Sequence, residues 1–297
     1  MPKPSQAQAQ VQAPLEPIKP ANYSHIALLR PTPNVWRLNL SSPPDNRLTP
    51  ELLSELSHAL DVVESEWRAL RGGGKFDPKE RERLGGDGKG AGALILGSGV
   101  DKFWSNGLDW ARSLKIQNFF EEIFDPVTWR ILTFPLVTIA AINGHAFAGG
   151  MILALSCDYR IMTSGKGYLC MNELAFGSPL PNSFNALLAL RIPNLQQQRD
   201  TLMARRWTQP ELLKMGLLDE IVEPGPGALD DKAVELGVRE GGKIAAGSWG
   251  AIKRGIFHPV LEASQSYRKL NLPPQEEKEF YDRVVVGKGI KDRQAKL

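Results

Sequence analysis

Cysteine is nearly absent from this chain: only Cys157 and Cys170 occur in 297 residues, alongside four histidines. The two thiols have no paired spacing and no histidine cluster beside them, which excludes a disulfide framework and a zinc site and fits a reducing compartment. Long apolar runs are also missing. No stretch reaches the ~20 residues that span a bilayer, and the opening "MPKPSQAQAQVQAPLEPIKP" lacks the apolar centre of a secretion signal, so no membrane span and an intracellular, soluble protein are expected. Nor is charge of one sign in excess. The 36 Lys and Arg nearly balance the 33 Asp and Glu, giving a net charge of +3, and the basic residues are dispersed. That pattern lacks the basic and aromatic stripe of a nucleic-acid binder but suits a site for a small anionic molecule.

What is present reads as an α/β protein, because strand-like and helix-like segments alternate. Residues 1–20, rich in Pro, Gln and Ala, are expected to be a disordered arm, residues 21–224 the core, and residues 225–297 a helical region with a tail. "YSHIALLRP" and "VWRLNLSSP" read as two strands around Pro31-Thr32-Pro33-Asn34. In "TPELLSELSHALDVVESEWRALR", Thr49 is the expected N-cap and Pro50 the first helical residue, while Leu52, Leu56, Leu60 and Val63 recur at helical spacing. The glycine-rich, charged segment 72–92 lacks the G-x-x-x-x-G-K-[ST] spacing of a phosphate loop and is expected to be a flexible insertion. A helix is expected over 119–133, and Thr208 to Glu211 has capping-box spacing before another helix.

Two glycine loops carry the functional signal. In "AAINGHAFAGGMILALSCDYRI" an apolar strand is followed by Gly149 and Gly150 and then by an apolar helix, so orphan backbone amides gather where no Cβ blocks a ligand. "SNGLD", Ser105 to Asp109, repeats the arrangement with Asn106 and Gly107 at its centre. Amides from two such loops converging on one oxygen make an oxyanion hole.

Together "FWSNGLDW", "AAINGHAFAGGMILALSCDYRI" and "YLCMNELAFGSPLP" resemble the crotonase (enoyl-CoA hydratase/isomerase) superfamily, and the last is most similar to its peroxisomal Δ3,Δ2-enoyl-CoA isomerase branch of plants and fungi. The resemblance spans about Tyr23 to Pro224. It implies a spiral of ββα units with a C-terminal helical lobe, a homotrimer or homohexamer, and an acyl-CoA thioester held by the backbone amides of Leu108 and Gly149. No metal or cofactor is implied, the substrate itself carrying coenzyme A. Ser105, Asn106, Gly107, Leu108, Asp109 and Gly149 are the expected substrate-binding residues. Of the two acids a hydratase of this type uses, the first position falls on Ile152 and the second on Glu173. The resemblance therefore implies an isomerase of fatty-acid β-oxidation in which Glu173 alone shuttles a proton, with its pKa raised by apolar neighbours that include Leu169, Met171, Leu174 and Phe176. Thioester hydrolysis, dienoyl-CoA isomerisation, a non-catalytic acyl-CoA-binding subunit and an RNA-binding relative are the competing readings. His145 is expected to pack, Asp109 to cap a short helix, and Asp158 to help end the helix after Gly150. Arg47 and Lys102 are lone basic residues, expected to be solvated and not counted among the residues that hold the CoA phosphates. The final Ala295, Lys296 and Leu297 follow the small-basic-Leu pattern read by the peroxisomal import receptor, so a peroxisomal location is expected.

Overall fold

The computed structural model of the chain describes residues 18–70, 90–266, 270 and 272–284. Residues 1–17 of the expected arm, residues 72–89 of the expected insertion and the Ala295–Leu297 tail lie outside the described residues. Strands β1 (Ile26–Thr32) and β2 (Val35–Leu40) form an antiparallel hairpin with Ile26 opposite Leu40. Pro31, expected in the turn, lies inside β1. That strand is the edge of its sheet, where a missing N–H is tolerated, and the chain reverses two residues later.

Helix α1 (Pro50–Leu70) begins where its cap predicts: the Thr49 hydroxyl accepts the Leu52 N–H at 3.2 Å. Leu52, Leu56, Leu60 and Val63 form its fully buried stripe. Near its end the buried Trp67 donates its indole N–H to the Gly90 carbonyl at 3.2 Å, and the Gly92 N–H bonds to Gly241 at 3.2 Å, so residues 90–92 are fastened to the core and are not a flexible insertion.

The centre of the chain repeats one move. Strand β3 (Ala93–Ser98) is followed by the short β4 (Phe103–Ser105), β5 (Val137–Ile142) by β6 (His145–Phe147), and β7 (Tyr159–Thr163) by β8 (Leu169–Cys170). The first member of each pair enters a six-stranded sheet of order β1-β2-β3-β5-β7-β9, where β9 is Glu220–Val222, and the second enters a three-stranded sheet of order β4-β6-β8. Beyond the hairpin the described strands pair in parallel, with Ala93 opposite Val137 and Ile139 opposite Tyr159, while an isolated bridge from Leu169 to Trp207 is antiparallel. This is the ββα spiral that the resemblance implied. Strand β5, "VTIAAI", is buried at all six positions, as an interior parallel strand covered on both faces must be.

Between the sheet pairs run α2 (Trp110–Ser113), a π-helical turn (Phe120–Phe124) continuing into α3 (Asp125–Leu132), and α4 (Gly149–Ser156). Helices α5 (Asn182–Arg191), α6 (Leu195–Leu202) and α7 (Gln209–Lys214) follow β8. Thr208 and Glu211 complete the expected capping box at α7.

The remaining helices are α8 (Ala228–Gly241), α9 (Trp249–Ile256), α10 (His258–Gln265) and α11 (Pro273–Val284). Helix α8 lies close on the large sheet: a Cβ on Gly237 would stand 3.2 Å from that of Ala93. Helix α9 inserts Lys253, 1 % exposed, whose Nζ donates to Asp158 at 2.8 Å and to the Leu136 carbonyl at 3.3 Å. Asp158 thus has a different role from the expected one. Its carboxylate accepts Lys253, the Trp249 indole N–H and the Thr138 N–H, so it anchors the C-terminal helices instead of ending α4, whose carbonyls are met by other residues. Among the described residues no helix is long and apolar enough to cross a membrane.

Candidate active site

The first loop is built on Ser105, fully buried at the end of β4. Its hydroxyl donates to the Asn46 carbonyl at 2.8 Å and accepts the Gly107 N–H at 3.3 Å. Asn106 is pinned by two bonds to Asp45, one from its backbone N–H at 2.9 Å and one from its amide at 2.7 Å. Gly107 has φ +79°, and a Cβ there would stand 2.7 Å from the Phe147 carbonyl and 3.2 Å from the Gly149 nitrogen. Only glycine lets the two loops touch. Asp109 caps α2 as expected, accepting the Arg112 N–H.

The second loop turns at Ala148, which has φ 51° and ψ −126°. An L-residue in such a conformation costs about 1–3 kcal/mol and persists only where its surroundings enforce it. Here the Ala148 N–H bonds to the Cys170 carbonyl at 2.8 Å, and its own carbonyl accepts Ile152 at 3.2 Å. Next comes α4, buried along its whole length, with no side-chain cap at its N-terminus. Gly150 admits the Ser105 backbone, since a Cβ would come within 2.5 Å of that carbonyl. Among the described residues, neither the Leu108 nor the Gly149 amide donates a hydrogen bond to the protein. Two unpaired donors therefore sit on loops in van der Waals contact, one of them at the positive end of a helix.

The third component follows β8. Glu173 opens a 3-10 turn (Glu173–Phe176) that Gly177 closes at φ +70°. The carboxyl is 7 % exposed, and its Oε2 atom is buried with no partner. Burial raises its pKa to about 7, opposed only by a bond from its own backbone N–H. Leu169 and Met171 are buried as expected; Leu174 and Phe176 are about half exposed, and Phe176 lines the same cavity as Glu173.

Glu173 lines a cavity of about 440 Å³ together with Asn106, Leu108, Asp109 and Ala148. Ser105, Gly107 and Gly149 stand behind that wall and shape it. The apolar walls include Phe120, Phe184, Pro179 and Pro181, with the two phenylalanine rings 5.8 Å apart edge to face. These four escaped the sequence reading. Phe120 sits on the π-helical turn, whose register breaks ordinary helical periodicity, and the prolines announce only a loop. Asn172, also missed, has a buried Oδ1 with no partner beside Glu173.

Arg47 lines the cavity mouth and donates to the Leu108 carbonyl at 3.3 Å. Lys102 does not line it, lying 5.5 Å from the Phe103 ring. His145 packs, stacked on Tyr168 and accepting that residue's N–H at 3.2 Å; burial, then Lys102 and Arg206, hold its pKa low. Ile152 is 2 % exposed inside α4 and places no polar group near the carboxyl.

Spiral topology, two backbone amides unpaired among the described residues and one buried acid belong to one α/β molecule, with the acid and the Leu108 loop lining the same cavity. Comparison with known proteins places that molecule. The family model for enoyl-CoA hydratase/isomerase matches residues 84–249, more than half of the chain. Enoyl-CoA delta isomerase 3 of Arabidopsis thaliana is 33 % identical over 178 residues, covering 57 % of this chain and 75 % of the relative. Enoyl-CoA delta isomerase 2, peroxisomal, of the same plant is 33 % identical over 168 residues, 53 % of this chain and 68 % of the relative. Among solved structures, an enoyl-CoA hydratase/isomerase from Xanthobacter autotrophicus superposes with a TM-score of 0.64 at 22 % identity, over 93 % of this chain and 99 % of that one. The enoyl-CoA hydratase EchA3 from Mycobacterium ulcerans gives 0.64 at 20 % identity, over 82 % and 95 %. The chain belongs to the enoyl-CoA hydratase/isomerase family.

Proposed function

We propose that the cavity isomerises 3-enoyl-CoA to 2-enoyl-CoA, with Glu173 as the only proton carrier. The thioester oxygen sits between the amides of Leu108 and Gly149. The Glu173 carboxylate removes a proton from C2, the electron pair passes into a dienolate whose negative oxygen the two amides hold, and the same carboxyl returns the proton to C4. Atoms balance without water, metal or redox partner. The observation that carries this reading is Glu173 itself, which has a buried, unpartnered Oε2 and lines a cavity shared with the Leu108 loop. A carboxyl with a pKa of about 7 is matched both to taking and to giving a proton at neutral pH.

Ile152 favours isomerisation over hydration. Adding water across a double bond needs one group to activate the water and another to protonate carbon, and the helix position that would supply the second is aliphatic and buried. The test is incubation with 3-hexenoyl-CoA and, separately, 2-hexenoyl-CoA. Formation of the conjugated thioester from the first, with no 3-hydroxyacyl-CoA from the second, is the expected result. Free CoA release would instead make the protein a thioesterase, and binding without turnover would make it a carrier subunit.

The names of two plant relatives carry the word peroxisomal, and on that basis we place the protein in the peroxisome. An amino-terminally tagged chain should enter peroxisomes and stay outside them when Ala295, Lys296 and Leu297 are removed. The assembly we propose is a homotrimer or homohexamer, which sedimentation of the purified chain would check.

A further inference from the structure

Helix α4 carries no charged side chain, and all eight of its residues are buried. Groups from elsewhere must therefore finish its ends, and they do so unequally. At the N-terminus the Gly149 amide is left unpaired among the described residues. At the C-terminus two guanidinium groups meet the carbonyls. Arg191, the last residue of α5, donates from Nε to Leu155 at 3.0 Å and from Nη2 to Cys157 at 3.1 Å. Arg160 of β7 donates from Nη1 to Cys157 at 2.6 Å and from Nη2 to the Asp158 carbonyl at 3.0 Å.

The charges around this end do not cancel. Lys253 is paired with Asp158 at 2.8 Å, and Arg160 reaches Asp219 at 3.7 Å. Arg191 has no ion-pair partner among the described residues; its guanidinium lies 4.9 Å from the centroid of the Phe257 ring. Burial pulls its pKa down to about 10, which leaves it charged at neutral pH. Three cations thus face two carboxylates behind an apolar helix whose N-cap residue, Ala148, lines the candidate site.

We propose that Arg191 is a positioning residue for the reaction: acting through α4, it cancels the negative pole of the helix and keeps net positive charge behind the Gly149 amide, where the enolate forms. The proposal rests on the isomerase reading of the cavity. Eight residues at about 1.5 Å each separate the two ends by about 12 Å. The guanidinium and the enolate oxygen each lie about 3 Å beyond those ends, so one charge acts over about 18 Å and, with an effective dielectric of about 20, alters the rate by about fivefold. The bare capping of carbonyls would instead affect folding alone.

The experiment compares Arg191→Gln, which removes the charge, with Arg191→Lys, which keeps it. Both are assayed with 3-hexenoyl-CoA, and hexanoyl-CoA labelled at the thioester carbon serves as an infrared probe of carbonyl polarisation. Arg191→Gln should lose about fivefold in kcat with KM changed less than twofold and should shift the bound carbonyl stretch to higher frequency, whereas Arg191→Lys should keep most of both. A folded Arg191→Gln protein with wild-type kcat and carbonyl frequency overturns the proposal, as does an Arg191→Lys protein as impaired as Arg191→Gln. If Arg191→Gln does not fold, the probe frequency is followed in Arg191→Lys as rising pH removes the lysine proton: an upward shift in step with that titration supports the proposal, and no shift overturns it. Wild-type protein inactive on 3-hexenoyl-CoA would instead fail the isomerase reading itself.

Discussion

A carboxyl group kept out of water without a partner works against the fold that holds it. Glu173 in the folded chain has a pKa of about 7, against an ordinary value of 4.5. Between those values the unfolded chain releases the proton more readily, so stability falls as pH rises through that window, by up to about 3 kcal/mol in total. Glu173→Gln should therefore melt at a higher temperature than wild type at pH 8, and the two should converge near pH 4. The same substitution should lower kcat by about 10²–10⁴-fold while leaving CoA-ester binding intact, because the amide cannot carry a proton. In wild type, kcat/KM should fall about tenfold per pH unit below pH 7, where the free enzyme's base becomes protonated. A flat acid limb measured with 3-hexenoyl-CoA would remove Glu173 from the role. At this scale the sequence was informative about the acid but not about its surroundings. Of its neighbours, Phe176 does line the cavity, but so do the rings of Phe120 and Phe184, more than fifty residues apart, which no local pattern around Glu173 announces.

Among the elements, α4 was legible in its start and its apolar character, because a double glycine before an uninterrupted apolar run leaves few alternatives. Why two glycines are needed was not legible. Gly149 lies against the side chain of Leu108, while Gly150 lies against the backbone of Ser105, a contact no local pattern encodes. Gly150→Ala should consequently push the two loops apart, lowering stability by about 1–3 kcal/mol and activity by more than its fold loss explains; urea unfolding alongside turnover would show both. The short strands β4, β6 and β8, two or three residues each, had no detectable period, so the second sheet came from family resemblance alone. Helix α1 needed no such help, since its cap, first-turn proline and buried stripe all agree.

For the molecule as a whole, a buried ion pair is one of the ties between the C-terminal helices and the spiral. Replacing Lys253 by Met leaves Asp158 charged among apolar groups, and a loss of about 3–5 kcal/mol is expected in denaturant unfolding. The double variant Lys253→Met, Asp158→Asn should recover part of that loss, because neither charge is then stranded. No periodicity argument links residues 95 positions apart, which is why Asp158 read as a helix terminator until its partner was seen.

Ala148 offers a different kind of consequence. Its backbone is wound against the preference of its own side chain, and the hydrogen bonds to Cys170 and Ile152 hold it there. Glycine at this position would relax the twist, so the Ala148→Gly protein should tolerate more heat or lose little, yet turn over more slowly. A hinge would have replaced a latch, and the neighbouring N–H would wander from its aim.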